Sequence, residues 1–261
     1  MSAVQQPWLS IVIPTYGRAK SLGQHITAVH ACLGQDFPGQ RFEIIVVNDA
    51  SPDQTHVLLA DLTARCPTVR VLNLAQNLGQ QAATLAGLAL AEGSVVVTMD
   101  DDGKDAPADV VRLVGLLSAG YDVVYGVPEQ EKDLAWHRRL GTTVKEGLLG
   151  SLCKKPKGIR LTGFRAMNRA TVDRIVADKR RHVYISATIL EKPVRIGQVQ
   201  VAAPVRNASG YSLATLARLL LRIAIWYGPI DRLRIRPATP HPLQQRARFQ
   251  NRARISPETP S

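Results

Sequence analysis

Three adjacent aspartates, Asp100-Asp101-Asp102, close the apolar run Ser94-Val95-Val96-Val97-Thr98-Met99, and this junction constrains the chain more than any other. The run is rich in β-branched residues and follows the helix stop Glu92-Gly93, so it reads as a short, fully buried strand. Open α/β sheets bind ligands just outside the carboxyl ends of their strands. Adjacent carboxylates repel one another and stay together where a cation or a donor network offsets the repulsion. Hard divalent ions such as Mg2+ use one or two carboxylates plus substrate phosphates. The alternative for the run alone is a solvated acidic turn that caps a helix beginning near Pro107.

The surrounding pattern favours the sheet. Strands are expected at residues 9–14 (ended by Pro14), 42–47, 69–74, 94–99 and 121–125. Helices are expected at about 20–33, from the turn Asn48-Asp49-Ala50-Ser51-Pro52-Asp53 to about 65, at 79–92 and at 107–117. Strands alternating with helices of this length mean βαβ units and a mainly parallel sheet. After Gly126 the rhythm changes. Residues 131–152 read as a basic amphipathic helix, 164–167 as a short strand, and 195–205 as strand-like. Residues 213–227 form the most apolar helical stretch, carrying Arg218 and Arg222. From Arg232 onward seven Arg and five Pro with little apolar periodicity predict a disordered basic tail.

A length of 261 residues and a hydrophobic fraction of 45% suit one globular domain with an appendage. No run of 18 apolar residues suggests a membrane span, and no basic region with a following apolar stretch suggests a secretory signal. Cys32, Cys66 and Cys153 lack metal-ligand spacing and read as reduced cytosolic thiols. The net charge of +12 is unevenly spread: residues 1–130 carry 7 Lys/Arg against 13 Asp/Glu, and residues 131–261 carry 26 against 8. A metal suits the first half and an anionic surface the second.

The first strand–helix junction, Pro14-Thr15-Tyr16-Gly17-Arg18, lacks the Gly-x-Gly-x-x-Gly fingerprint, and no phosphate-binding Gly-x-x-x-x-Gly-Lys-Ser/Thr loop follows a strand. A nicotinamide enzyme and a P-loop NTPase are thereby disfavoured. What remains is a set of polar strand ends: Pro14-Thr15-Tyr16, Asn48-Asp49 and Asp100-Asp101-Asp102. Asp49 offers an acceptor for a nucleobase N–H, or equally an Asx-turn or helix cap. Asp102 is placed to hold a metal over a diphosphate.

Four motifs in register carry a resemblance: Ser10-Ile11-Val12-Ile13-Pro14-Thr15-Tyr16, Val46-Val47-Asn48-Asp49-Ala50-Ser51-Pro52-Asp53, Asn77-Leu78-Gly79-Gln80-Gln81-Ala82 and Met99-Asp100-Asp101-Asp102. Their order and spacing resemble glycosyltransferase family 2 with its GT-A, Rossmann-like fold, the triple Asp standing at the D-x-D position. Asp105-Ala106-Pro107, Tyr121-Asp122-Val123-Val124-Tyr125-Gly126, Phe164-Arg165-Ala166-Met167-Asn168-Arg169 and Arg206-Asn207-Ala208-Ser209-Gly210-Tyr211-Ser212 narrow the likeness. Together they are similar to the branch of dolichyl-phosphate mannose synthase and the bacterial undecaprenyl-phosphate sugar transferases. The resemblance covers about residues 8–235.

It implies a nucleotide-sugar half at 1–127, an acceptor half at 128–212, a membrane-surface helix at 213–235 and a tail at 236–261. Pro14, Thr15, Tyr16, Asp49, Gln80, Asp100, Asp101 and Lys104 would line the donor site, with Asp49 at the nucleobase. Asp100 and Asp102 would hold Mg2+ or Mn2+. Arg165, Arg206 and Ser209 would lie toward an acceptor phosphate. Two positions depart from the family: Lys104 stands where Gln is common, and Gly163 where relatives carry Asp. Lys104 is then a point charge for the diphosphate or a solvated side chain.

The resemblance implies an inverting glycosyltransferase that moves a sugar from a nucleoside diphosphate to a polyprenyl phosphate or other lipid-linked acceptor. The expected setting is peripheral, at the cytosolic face of the cell membrane, in building cell-envelope polysaccharide. A hydroxyl acceptor is the alternative and needs a base, Asp105 or Glu191. Rivals of another class are a nucleic-acid-binding protein, suggested by the basic half, and a non-catalytic membrane adaptor.

Overall fold

The computed structural model describes residues 6–129, 155–178, 180 and 183–202. The expected helices at 131–152 and 213–227, the tail, Cys153, Arg206, Ser209, Arg218 and Arg222 lie outside the described residues. In chain order the elements are β1 (Leu9–Thr15), α1 (Leu22–Asp36), β2 (Phe42–Asn48), α2 (Thr55–Arg65), β3 (Val69–Asn73), α3 (Gln80–Leu90), β4 (Val95–Thr98) and α4 (Pro107–Ser118). There follow β5 (Val123–Pro128), β6 (Arg165–Asn168), α5 (Arg169–Val176), α6 (Ile185–Leu190) and β7 (Ile196–Val201).

The seven strands described form one sheet in the order β3-β2-β1-β4-β6-β5-β7. All neighbours pair in parallel except β6, which runs antiparallel to both β4 and β5. Apolar residues on both faces of the central strands demand cover on both sides. Leu9, Ile11, Ile13, Ile44, Val46 and Val97 pack beneath α1, α2 and α4. Their alternates Val12, Ile45, Val47 and Val96 pack beneath α3, α5 and α6.

Four expectations change. β1 does not end at Pro14 but runs to Thr15, paired with β2 throughout. Its pairing with β4 stops at Val12↔Thr98, and Val12, one alternation earlier, is the residue that faces β4 by accepting from Met99 N–H. The N–H that Pro14 lacks would therefore point where β4 has already ended, so the proline costs no ladder bond. β5 starts two residues later than expected and extends to Pro128. Asp122 is held at its foot instead, accepting from Asn168 Nδ2 at 2.9 Å and Arg195 N–H at 2.8 Å. The short strand at 165–168 is an inner strand, wedged between β4 and β5. α5 and α6 were not anticipated, although Asn168 is a recognisable N-cap: its Oδ1 accepts from Thr171 N–H at 2.9 Å.

α3 lies close on the sheet because residue 87 is glycine. A Cβ there would stand 2.4 Å from Val12 Cγ1 and 3.1 Å from Val47 Cγ2. The first residues of α3 meet the acidic end of β4, so this contact also fixes one wall of the site. Gly87→Ala should overpack the interface and cost about 1–3 kcal/mol, read as a lower denaturant midpoint with unchanged m-value. An unaltered midpoint would show that α3 is not held by this contact.

Candidate active site

From β1 the chain winds outward to β2 and β3, then returns to β4 on the other side of β1. The reversal opens a crevice between the carboxyl ends of β1 and β4, the topological position at which such sheets bind ligands. Thr15 ends β1 and its hydroxyl donates to Asp101 Oδ2 at 2.6 Å, bridging the two strand ends. Arg18, in the loop after β1, has its Nε 3.7 Å from Asp101 Oδ1.

Each of the three aspartates has its own donors. Gln80, first residue of α3, donates through Nε2 to Asp100 Oδ1 at 2.7 Å. Asp101 is served by Thr15 and Arg18. Asp102 is held by Lys104: the backbone N–H donates to Oδ1 at 3.2 Å and the ammonium pairs with Oδ2. Asp105 turns back to accept from Asp100 N–H at 2.8 Å. Gly103, between Asp102 and Lys104, has φ +75°, a left-handed conformation that suits glycine and closes this tight loop.

Charge follows burial. Burial raises the Asp100 carboxyl above the ordinary carboxylate range, and the charges of Asp102 and Asp101 add to it against Lys104 and Arg165. Asp101 is also raised by burial, partly offset by the Thr15 hydroxyl and Arg18. Burial pushes Asp102 up as well, but the Lys104 hydrogen bonds and charge outweigh it and leave that carboxyl below its ordinary value. Asp105 is pushed up to about 7 by burial, helped by the charges of Asp100 and Asp102 and opposed by the Asp100 N–H.

Among the described residues no three His, Cys, Asp or Glu side chains gather into a closed metal site. The fit is to the open kind, in which one or two carboxylates share a hard divalent ion with substrate phosphates. Asp100 and Asp102 bring two carboxylates of that kind to the crevice, and burial with the neighbouring carboxylates raises the Asp100 carboxyl.

The expected residues do not all fall in one place. Thr15, Gln80, Asp100, Asp101, Asp102 and Lys104 come together as the hydrogen bonds require. Pro14 is buried in β1, and Tyr16 is exposed beside the crevice. Asp49, 3% exposed, spends both oxygens on backbone: Leu78 N–H at 2.7 Å and Gly79 N–H at 2.8 Å. Its observed task is to hold the loop that enters α3. Arg165, expected beside an acceptor phosphate, is 2% exposed; its guanidinium donates to Ser186 Oγ at 3.0 Å and its charge reaches Asp100. Pairing opposite Thr98 on the inner strand β6 draws it into the sheet. Glu191 pairs with Arg180 at 2.5 Å.

His25 was missed. It lies on the inner face of α1 with Leu22, Ile26 and Val29, only 7% exposed, and among the described residues its Nε2 has no hydrogen-bond partner. Burial lowers its pKa against the raising influence of Asp101, the Asp100 backbone and Asp102. A histidine at helical spacing within an apolar face was the available signal. Cys32 donates to Asp36 at 2.9 Å, and its thiol is pushed up to about 11 by burial and that carboxylate, which disfavours the thiolate.

The sheet order, the switch point and the acidic strand end are those of the GT-A fold of glycosyltransferases. The chain belongs to glycosyl transferase family 2, whose family model matches residues 10–176. It is 34% identical over 184 residues to an undecaprenyl-phosphate 4-deoxy-4-formamido-L-arabinose transferase of Pseudomonas syringae pv. syringae, covering 68% of this chain and 52% of that protein. A protein of the same name from Edwardsiella ictaluri is 32% identical over 166 residues, covering 62% and 48%. The chain thus spans about half the length of the curated relatives it matches.

Among solved structures, glucosyl-3-phosphoglycerate synthase from Mycobacterium tuberculosis, in complex with Mn2+, UDP-glucose and phosphoglyceric acid, superposes with a TM-score of 0.62. The identity is 21%, over 85% of this chain and 80% of that one. A mannosyltransferase from Pyrobaculum calidifontis with GDP-Man and Mn2+ gives a TM-score of 0.59 at 17% identity, over 90% and 67%. At such identities the likeness is one of fold.

Two outcomes follow from the geometry. Asp49→Ala leaves Leu78 and Gly79 N–H groups unpaired beside α3 and should cost about 1–3 kcal/mol of stability, measured by denaturant unfolding; no loss would remove Asp49 from this structural role. The second concerns pH. Because the folded Asp105 carboxyl is pushed up to about 7 and an unfolded one has the ordinary value of 3.8, the folded state binds more protons between those values. Its contribution makes metal-free stability fall as pH rises across that window, with the loss complete above about 7. The difference in melting temperature between the wild type and Asp105→Asn should therefore change over that window; a constant difference contradicts the burial of this charge.

Proposed function

We propose that the chain is the catalytic domain of an inverting, metal-dependent glycosyltransferase. It takes its sugar from a nucleoside diphosphate and gives it to a polyprenyl phosphate or other lipid-linked acceptor. The observation that carries this reading is the trio of aspartates at the β1/β4 switch point, each with a separate donor. The names of the curated relatives, transferases acting on undecaprenyl phosphate, support the acceptor class.

Asp102 and Asp100 would hold Mg2+ or Mn2+, which supplies neutralisation of the leaving diphosphate as a Lewis acid and template. The chain's own residues do the rest. Gln80 fixes the Asp100 carboxylate, and the N-terminus of α3 adds a positive dipole end favourable to phosphate oxygens. Arg18 and Lys104 supply charge on the crevice side of Asp101 and Asp102. Asp49 keeps the loop before α3 closed, and a nucleobase would stand beside that loop. A phosphate acceptor is already anionic near neutral pH, so no strong base is needed. Glycine at 163, where relatives carry Asp, suits this because it brings no carboxylate to that position.

On this reading residues 1–127 form the donor half and 128–212 the acceptor half, with Arg206 and Ser209 toward the acceptor phosphate. The arginines of residues 213–261 then face anionic lipid at the inner surface of the membrane. Among the described residues no helix is long and apolar enough to cross a membrane. A second reading, with a hydroxyl acceptor, has one observation in its favour: Asp105, at about 7, has the strength of a general base.

Transfer assays with UDP- and GDP-sugars test the proposal, using polyprenyl phosphate and a sugar hydroxyl as competing acceptors. Asp102→Asn should abolish transfer and the Mn2+-dependent part of nucleotide binding while leaving the unfolding transition in place. Unchanged transfer in that variant contradicts the assignment, and strong preference for the hydroxyl acceptor transfers the role to the Asp105 reading.

A further inference from the structure

Among the described residues, Lys104 is the cation in direct contact with a prospective metal ligand. Its ammonium sits on Asp102 Oδ2 and its backbone N–H on Asp102 Oδ1, so residue 104 occupies both oxygens of that carboxylate. Among the described residues, no second acceptor is recorded for this ammonium. The pair is half-buried, Lys104 27% and Asp102 16% exposed, and the intervening Gly103 faces open space on the side where a Cβ would project. A divalent ion and the ammonium compete for the charge of the same carboxylate.

We propose that Lys104 is a displaceable internal counter-ion. It neutralises Asp102 while the donor site is empty, and gives the carboxylate up only when the metal arrives together with a nucleoside diphosphate. The inference rests on the donor-site reading above and adds to it an order of assembly and a residue that sets it. Asp101 and Asp100 already have donors that do not compete for Asp102, so removal of the ammonium exposes a single carboxylate rather than unravelling the loop. Lysine suits such an exchange: a compact charge on a flexible four-carbon stem can leave one anion and settle on another. The phosphates of the donor provide that second anion within the same crevice. Metal alone must compete with Lys104; metal plus diphosphate gives Lys104 a new partner. Metal and nucleotide then favour each other's binding by the same factor, as linkage demands.

The test is a Mn2+ titration of the full chain followed by electron paramagnetic resonance, with Mn2+ alone and with UDP or GDP present. Wild type, Lys104→Gln, Lys104→Arg and Asp102→Asn are compared. Lys104→Gln should bind Mn2+ alone about 2–5-fold more tightly, the range that a partly exposed ion pair is worth, and nucleotide should improve its Mn2+ affinity by a smaller factor than in wild type. Lys104→Arg, which keeps the charge, should remain near wild type without nucleotide. If Lys104→Gln leaves Mn2+ affinity and coupling unchanged while Asp102→Asn removes binding, the counter-ion role is overturned and the donor site stands. If Asp102→Asn binds Mn2+ as wild type does, with or without nucleotide, the metal lies elsewhere and both the inference and the donor-site reading fall.

Discussion

Repulsion among Asp100, Asp101 and Asp102 is the constraint around which the described half of this protein is arranged. Three carboxylates on consecutive residues have to be separated, and each is given to a different neighbour: Gln80 at the head of α3, Thr15 and Arg18 after β1, and Lys104 in the same loop. Those neighbours come from three segments that only the parallel sheet brings together. The sheet order places β1 beside β4, the bridge from Thr15 to Asp101 ties their ends, and α3 reaches Asp100 because Gly87 lets it lie close on Val12 and Val47. Burial makes the arrangement expensive for the charged forms of Asp100 and Asp101, and so makes the crevice receptive to a divalent cation.

At the opposite, amino-terminal edge of the sheet a second polar cluster does structural work. Buried Glu43 accepts from Ser10 Oγ at 2.6 Å and Glu92 N–H at 2.8 Å, and pairs with Arg70. Glu43 and Glu92 share the one guanidinium of Arg70, which ties β2, β3 and the end of α3 together.

Much of this was legible beforehand. β-branched runs marked β1, β2 and β4, the acidic tripeptide marked the carboxyl end of β4, and the spacing of helices implied parallel pairing, all because local composition and burial agree in those segments. Other features were not legible because they depend on pairing partners. Nothing in Arg165-Ala166-Met167-Asn168 says that the strand enters the sheet antiparallel between β4 and β5, and it is this placement that buries Arg165. Asp49 offered two equal readings from sequence, and the contact that decides its structural role comes from residues 78 and 79, some thirty positions away. His25 stayed hidden because a helix face gives no indication of which loop will fold over it.

The central claim is that the carboxyl end of β4 holds a divalent ion jointly with a nucleoside diphosphate. Its most direct test is a crystal of the protein grown with Mn2+ and UDP or GDP, with diffraction recorded at the manganese absorption edge. The account predicts a single strong anomalous peak bridging the Asp102 carboxylate and the two phosphates, with Lys104 withdrawn from Asp102. Nucleotide bound in the crevice with no anomalous peak at Asp102, or a peak coordinated elsewhere, would contradict it.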